Sequence, residues 1–339
     1  MYCVKLAILA RVRHPRRFSR QLMRVRVLYH DHCFDGAASA AFFSRFVRDR
    51  FYPSAEFAYT GMMHTPSQTW DETVFDGDVN AIVDFKYAPS ERLTWWFDHH
   101  QSAFLTPEDA EHFRSAQKPW HFFDPNLRSC TKFIAQISAE KFGYQAPDLK
   151  ELVKWADIVD GAQYRDAQEA VEIALPATKL VLVIEGAKGS DIVHHIIRLM
   201  QREGLETIAG DPKVQQLFQP LYEQHLKTKE LIKRISHYDR GVVFFDLVDH
   251  GLEGYNKFIP YYLHPESVYT VSVLIASFRT KISVGSNPWV QGELKHNLAS
   301  ICERYGGGGH SRVGAISLPP GAVDEARQVA AEIVAELRG

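Results

Sequence analysis

The chain has 339 residues, 45% of them hydrophobic and 24% charged, with a formal net charge of −2. Length and balance fit a globular protein of two domains and exclude gripping long nucleic acid through bulk positive charge, although a local basic pocket needs none. No apolar run approaches the roughly 20 residues of a membrane span, so no membrane partner is expected. Cys3, Cys33, Cys130 and Cys302 stand far apart with no C-x-x-C pair, which fits neither a zinc knuckle nor a disulfide framework and points to a reducing, cytoplasmic setting.

Residues 1–22 are rich in Arg and free of acids, as a targeting segment or an over-extended start ahead of Met23 would be, and this basic tail is set apart from the fold. Val25 to Tyr29 predicts a strand that stops at His30, then a polar turn and a helix over 37–46. Ala81 to Val83 predicts a second strand ending at Asp84. Leu93 to Phe97 predicts a third ending at Asp98, in which Trp95 and Trp96 form a buried pair. Near-continuous apolar strands are buried on both faces, which predicts an α/β, doubly wound, mostly parallel sheet. Helices follow over 129–142, capped by Ser129 or Thr131, and over 148–159. Charged helices over 191–201 and 217–235 suggest a connector, on which His194 and His195 read as a solvated face. Strands return at 241–247, 268–277 and 281–284, and a helix over 296–304 leads into Gly306-Gly307-Gly308-Gly309-His310. One more strand and a helix over 324–337 close the chain. The expected division is a tail (1–22), a sheet domain (23–190), a helical connector (191–236) and a smaller α/β domain (237–339).

Open parallel sheets bind ligands beyond the carboxyl ends of their strands. Three predicted strands end there in His30, Asp84 and Asp98-His99-His100, with Asp35 in the loop after the first and Asp157 and Asp160 near the end of a later helix. Each alone reads as a cap or turn residue; together at one edge, carboxylates and imidazoles suit Mn²⁺, Mg²⁺ or Zn²⁺. Paired divalent ions activate water for attack on phosphorus. Four glycines can turn several N–H groups toward one anion, or serve as a hinge.

Taken in order, His30 to Gly36, Val83-Asp84-Phe85, Phe97 to His100, Trp155 to Val159 and the segment from Asn297 to Ala315 resemble the motifs of the DHH/DHHA1 phosphoesterases. The resemblance covers most of the chain from about residue 25. It implies an N-terminal DHH domain and a C-terminal DHHA1 domain with the active site in the cleft between them. Carried over by position, Asp35, Asp84, His99 and Asp157 hold one metal, and His30 and Asp84 the other, with Asp84 bridging. Asp98 orients His99, and His100 faces the substrate phosphate, which makes Asp98 and His100 the catalytic pair. Gly307, Gly308, Gly309 and His310 bind substrate.

Two positions depart from the commonest pattern. Cys33 stands where many members have Asp, either as a softer ligand or as a small packed side chain, with Asp31 or His32 as compensation. Gly285 stands where many have a substrate-reading Arg, leaving Arg279 or Arg312 to supply the charge. The expected activity is hydrolysis of phosphoester or phosphodiester bonds in a nucleotide or short single-stranded oligonucleotide, by water activated on two Mn²⁺ or other divalent ions. Alternatives are a nucleotide-binding regulator with little catalysis and an exopolyphosphatase-like hydrolase. A homodimer is the expected assembly.

Overall fold

A computed structural model describes residues 22–64, 69–276, 279–291 and 294–339. The basic tail thus lies outside the described residues, apart from Leu22. In chain order the first domain runs β1 (Arg24–His30), α1 (Phe34–Arg50), β2 (Glu56–Met62), β3 (Val79–Val83), β4 (Trp95–Asp98), α2 (Pro107–Ala116), β5 (His121–Phe123), α3 (Cys130–Phe142) and α4 (Lys150–Asp160). It continues with α5 (Ala167–Val171), α6 (Pro176–Gly186), α7 (Ser190–Met200) and α8 (Leu205–Ala209), and then α9 (Pro212–Ile235). The second domain adds β6 (His237–Asp239), β7 (Val242–Asp246), α10 (Ile259–Leu263), β8 (Tyr269–Ala276), β9 (Arg279–Ser286), α11 (Leu298–Glu303), β10 (Gly308–His310), β11 (Val313–Leu318) and α12 (Val323–Leu337).

The first sheet has the order β2-β1-β3-β4-β5 and is parallel throughout. Alternation along its strands serves two cores. Val25, Val27, Tyr29 and Trp95 face the layer of α1, α3, α4, α6 and α7, whereas Leu28, Ile82 and Trp96 face the aromatic cluster under α2. The Trp95–Trp96 pair therefore anchors both faces at once. Both rings are fully buried. The second sheet, β10-β11-β9-β8-β7-β6, is antiparallel except where β7 runs parallel to β8. α11 and α12 cover one of its faces. The other face packs Val243, Phe245 and Tyr261 against Tyr164 and Val171 of the first domain.

The helices expected as a connector divide their loyalty. Val193, Ile196, Met200, Ile208, Val214 and Phe218 belong to the core of the first domain, and only farther along α9 does Ile232 join the interdomain cluster. The apolar stripe of α7 explains this, and it also moves His194 off the solvated face. His194 lies against the rings of Tyr29 and Tyr59 at 5.9 Å each, and His195 Nε2 meets Asp211 at 3.2 Å. Among the described residues no helix is long and apolar enough to cross a membrane.

Candidate metal centre

The carboxyl edge of the parallel sheet brings the candidate ligands together. β1 ends at His30, β3 hands the chain to Asp84, β4 ends at Asp98 ahead of His99 and His100, Asp35 sits in the first turn of α1 and Asp160 is the last residue of α4. Ligand atoms of His30, Cys33 and Asp84 lie within 4.8 Å of one another, as do those of Asp84, His99 and His100, and those of Asp35, His99 and Asp160. Asp84 and His99 are thus shared between neighbouring groups.

Asp84 is held by its backbone. Its φ is +57°, a left-handed conformation rare for residues with a side chain, and its N–H donates to the Phe97 carbonyl at 2.9 Å. The side chain is 1% exposed, with Oδ2 3.5 Å from His30 Nδ1 and Oδ1 3.2 Å from His99 Nε2. Neither oxygen has a partner in hydrogen-bond geometry, and nor have those two imidazole nitrogens. Buried charge left in this state is costly unless a cation or proton neutralises it, so the donor set fits a divalent ion.

The tautomer of His99 supports the same fit. Its Nδ1–H donates to the Leu127 carbonyl at 3.0 Å, which turns Nε2 toward Asp84 at 3.2 Å, Asp160 at 3.5 Å and Asp35 at 3.9 Å. Asp35 is fully buried and also caps α3, its carboxylate accepting from the N–H groups of Cys130 and Thr131 and from the Thr131 hydroxyl.

Without a metal, these charges redistribute protons. Burial, reinforced by Asp84 and Asp160, raises the Asp35 carboxyl well above its usual range. Burial and Asp84 push Asp160 up to about 6. Burial would raise Asp84 too, but the His30 and His99 imidazoles outweigh it and hold Asp84 below the ordinary carboxylate range. Burial opposes charge on His99, yet Asp84, Asp35 and Asp160 lift it to about 10. Likewise burial opposes charge on His100, and Asp98 and Asp84 lift it to about 9.

Several sequence expectations take a different form here. Asp98 does not orient the His99 ring, which the Leu127 carbonyl fixes. Its Oδ1 instead accepts from the backbone N–H of His99 at 2.8 Å, that of His100 at 3.3 Å and His100 Nδ1 at 2.7 Å. Asp98 is therefore a positioning residue for His100. Asp157 pairs with Lys132, its Oδ2 accepting from Nζ at 2.7 Å while its Oδ1 is buried without a partner, and it is Asp160, three residues on, whose carboxylate groups with Asp35 and His99. Asp31 and His32 also stay out. Asp31 accepts from the Ser190 hydroxyl at 2.6 Å and from the Tyr29 hydroxyl at 3.2 Å, leaving Cys33 as the member of that loop beside His30 and Asp84. Burial and then Asp84 raise the Cys33 thiol well above its usual range, so without a metal it is a neutral thiol.

His64 gave no sequence signal. Its ring stacks on Phe85 at 4.6 Å and lies 4.8 Å from His30, with burial, His30 and Lys86 lowering it to about 4.

Asp160 also lines a cleft of about 700 Å³ whose far wall is the second sheet. Lys257, Lys281 and Arg312 line it, together with Gly308 and Gly309, whereas Gly307 and His310 do not. The glycine tract forms less of a cradle than expected. Gly307 N–H donates to the Cys302 carbonyl at the end of α11, and Gly308 to His310 pair with β11 as an edge strand. A side chain at Gly307 would strike the Ala315 carbonyl at 2.3 Å, so close packing of the strands requires glycine there. Arg279 lies toward the other end of β9, its Nη1 donating to Ser317, which leaves Arg312 as the cleft arginine.

The sequence matches no family model and no curated protein. Solved structures do match. A pGpG-specific phosphodiesterase from Vibrio cholerae superposes with a TM-score of 0.67 at 17% identity, covering 93% of this chain and 98% of that one. The DHH domain of a protein described as a member of a family of ribosomal proteins gives 0.60 at 12% identity, over 94% and 88% of the two chains. RecJ from Thermus thermophilus, in complex with Mn²⁺, gives 0.52 at 12% identity, over 94% of this chain and 53% of its own. The chain has the DHH/DHHA1 fold. The triplet Asp98-His99-His100 lies at the carboxyl edge of the parallel sheet, and Asp160 links its cluster to the cleft whose far wall is the second sheet.

Proposed function

We propose that this chain is a divalent-metal-dependent hydrolase of phosphoester or phosphodiester bonds in nucleotides or short oligonucleotides. The observation that carries the reading is the buried Asp84 carboxylate, unpartnered between His30 and His99, in a cluster whose Asp160, 3.5 Å from His99, also lines a cleft with Lys257, Lys281 and Arg312. His30, Cys33 and Asp84 would hold one ion, and Asp35, His99 and Asp160 a second, with Asp84 close to both sets. The oxygen and imidazole donors of Asp35, His99 and Asp160 suit Mn²⁺, while the Cys33 sulfur adds a softer donor to the other set that suits Zn²⁺ better; RecJ structures with Mn²⁺ and with Mg²⁺ support the harder ions. A bound divalent ion supplies Lewis acidity and a water that deprotonates near neutral pH. His100, held by Asp98 through Nδ1, keeps its ring at the edge of the cluster, with Nδ1 3.9 Å from Asp84. Lys257, Lys281 and Arg312 draw an anionic substrate into the cleft and compensate its charge. The net charge of −2 favours a short ligand over a long duplex.

The test is hydrolysis of bis(p-nitrophenyl) phosphate, pAp and dinucleotides by the purified chain with Mn²⁺. Activity is expected, with about two ions bound per chain, and Asp84→Ala or His99→Ala should abolish it. No turnover on any of these substrates with Mn²⁺, Mg²⁺ or Zn²⁺ refutes the reading.

A further inference from the structure

The two candidate metal sets differ in their chemistry. Asp35, His99 and Asp160 offer two carboxylates and an imidazole, whereas His30, Cys33 and Asp84 offer an imidazole, a thiol and a carboxylate. Asp84 turns one oxygen to each side, with Oδ1 3.2 Å from His99 Nε2 and Oδ2 3.5 Å from His30 Nδ1.

The loop that carries Cys33 holds it beside His30. Asp31 anchors that loop, its N–H donating to the Met62 carbonyl at 3.0 Å and its carboxylate accepting from the Ser190 and Tyr29 hydroxyls. His32 then takes a left-handed φ of +53°, which turns the chain sharply toward α1. Gly36 lies so close to the end of β1 that a Cβ would come 2.1 Å from the His30 carbonyl oxygen. Backbone packing therefore fixes residues 30 and 33 relative to each other. The thiol of Cys130 is already spent, since it donates to the Phe97 carbonyl at 3.4 Å.

What surrounds Cys33 points to a metal ion. The Asp84 side chain is 1% exposed, and both its oxygens and His30 Nδ1 are buried without a hydrogen-bond partner. The ligand atoms of all three residues lie within 4.8 Å of one another. A thiolate favours Zn²⁺, whereas Mg²⁺ and Mn²⁺ favour oxygen. Three protein ligands with a fourth position left open is the pattern of catalytic zinc.

We propose that the His30–Cys33–Asp84 set is a zinc site with Cys33 as its thiolate ligand, and that the centre is heterobinuclear, the Asp35–His99–Asp160 set taking Mn²⁺ or Mg²⁺. On binding, the Cys33 S–H bond breaks, the sulfur electron pair goes to the zinc and the proton goes to solvent. The inference deepens the metal-dependent hydrolase reading by naming the ion at each set, and it rests on that reading for the centre's purpose.

The test needs no turnover. Cobalt(II) is the probe, because a thiolate bound to it gives a charge-transfer band in the near ultraviolet that oxygen and nitrogen ligands do not. The metal-free full chain titrated with Co²⁺ should develop this band, and added Zn²⁺ should bleach it. Cys33→Ser and Cys33→Asp should show none of it. Dialysis of the wild type against Mn²⁺ in large excess over Zn²⁺ should leave about one of each ion per chain by elemental analysis. Cys33→Asp, which exchanges sulfur for oxygen, should lower zinc retention at least about tenfold, the smaller loss seen even for outer partners of a metal. A wild type that binds Co²⁺ without the band overturns the proposal, whether or not the variants fold. Unchanged zinc retention in Cys33→Asp with a native circular dichroism spectrum overturns it too. A chain that shows the band yet cleaves no phosphoester keeps the zinc site and loses the phosphoesterase reading; one that cleaves with Mn²⁺ and shows no band does the reverse.

Discussion

Alanine at Gly285 tests why β9 carries no side chain where it borders the cleft. A Cβ there would lie 2.7 Å from the Tyr261 hydroxyl oxygen and 3.2 Å from Thr270 Oγ1. Tyr261 has little freedom to yield, being 4% exposed and hydrogen-bonded to Thr270 at 2.9 Å. Glycine to alanine at an unstrained site gains about 0.4–1 kcal/mol through the unfolded chain. Displacing the phenol costs about 1 kcal/mol for its hydrogen bond and about 1–3 kcal/mol for overpacking. The net expectation is a loss of about 1–3 kcal/mol, which lowers Tm by about 2–4 °C per kcal/mol in a domain of ordinary size. Tyr261→Phe removes the oxygen that the new methyl meets, so Gly285→Ala should cost at least about 1 kcal/mol less in that background. Thermal and urea melts of the wild type, both single variants and the double variant close the cycle. Additivity within about 0.5 kcal/mol would show that the two side chains do not compete, and the account of Gly285 would fail. If the cycle closes as expected, the Tyr261 hydroxyl fills the place an arginine would need, and cleft charge falls to Lys281, Lys257 and Arg312.

Two further predictions concern the metal centre. Asp160→Asn should weaken Mn²⁺ binding by more than the roughly 10–100-fold typical of outer partners, whereas Asp157→Asn, which only frees Lys132, should leave the ion count unchanged; equilibrium dialysis with elemental analysis decides, and the reverse order refutes the ligand assignment. Metal binding should also expel protons. A group raised to about 10, as His99 is, stays protonated until pH rises through that value, so at pH 7 the ion displaces a proton and its affinity climbs with pH. Titration calorimetry in buffers of different ionisation enthalpy should show at least about one proton released per chain, and none released would mean that His99 is not displaced.

The parallel sheet was legible because its strands are apolar on both faces and each ends abruptly in a polar residue. β2 escaped notice, since Glu56 to Met62 mixes polar and apolar residues without clean alternation, and only its pairing with β1 makes it a strand. β5 is three residues long and carries no periodic signal. At the site, the sequence placed His30, Asp35, Asp84 and His99 at one edge, and their side chains do converge there. It named Asp157 as the ligand, whereas Asp160 groups with Asp35 and His99; three residues along a helix keeps both on nearly the same face. Lys132, from a different helix, pairs with Asp157. Nor could it identify the partner of His99, since the Leu127 carbonyl belongs to the backbone and its residue type is silent.

The triplet Asp98-His99-His100 shows how three adjacent residues can serve one site. Consecutive side chains on an extended strand point to opposite faces, so two neighbouring histidines would not ordinarily share a cluster. Here β4 ends at Asp98, and its carboxylate folds the next two residues back by accepting both backbone N–H groups and His100 Nδ1 on a single oxygen. Hydrogen bonds to a charged acceptor contribute about 1.5–3 kcal/mol each, enough to hold the turn against the rotamer entropy of two rings. The rings end 4.5 Å apart at 51° to each other, with His99 7% exposed beside the carboxylates and His100 31% exposed toward open space. An asparagine at position 98 would keep one acceptor but lose the charge that lifts His100 to about 9. An aspartate ahead of two histidines thus follows from the geometry: one carboxylate sets the turn, one imidazole enters the buried cluster, and the other stays at its rim.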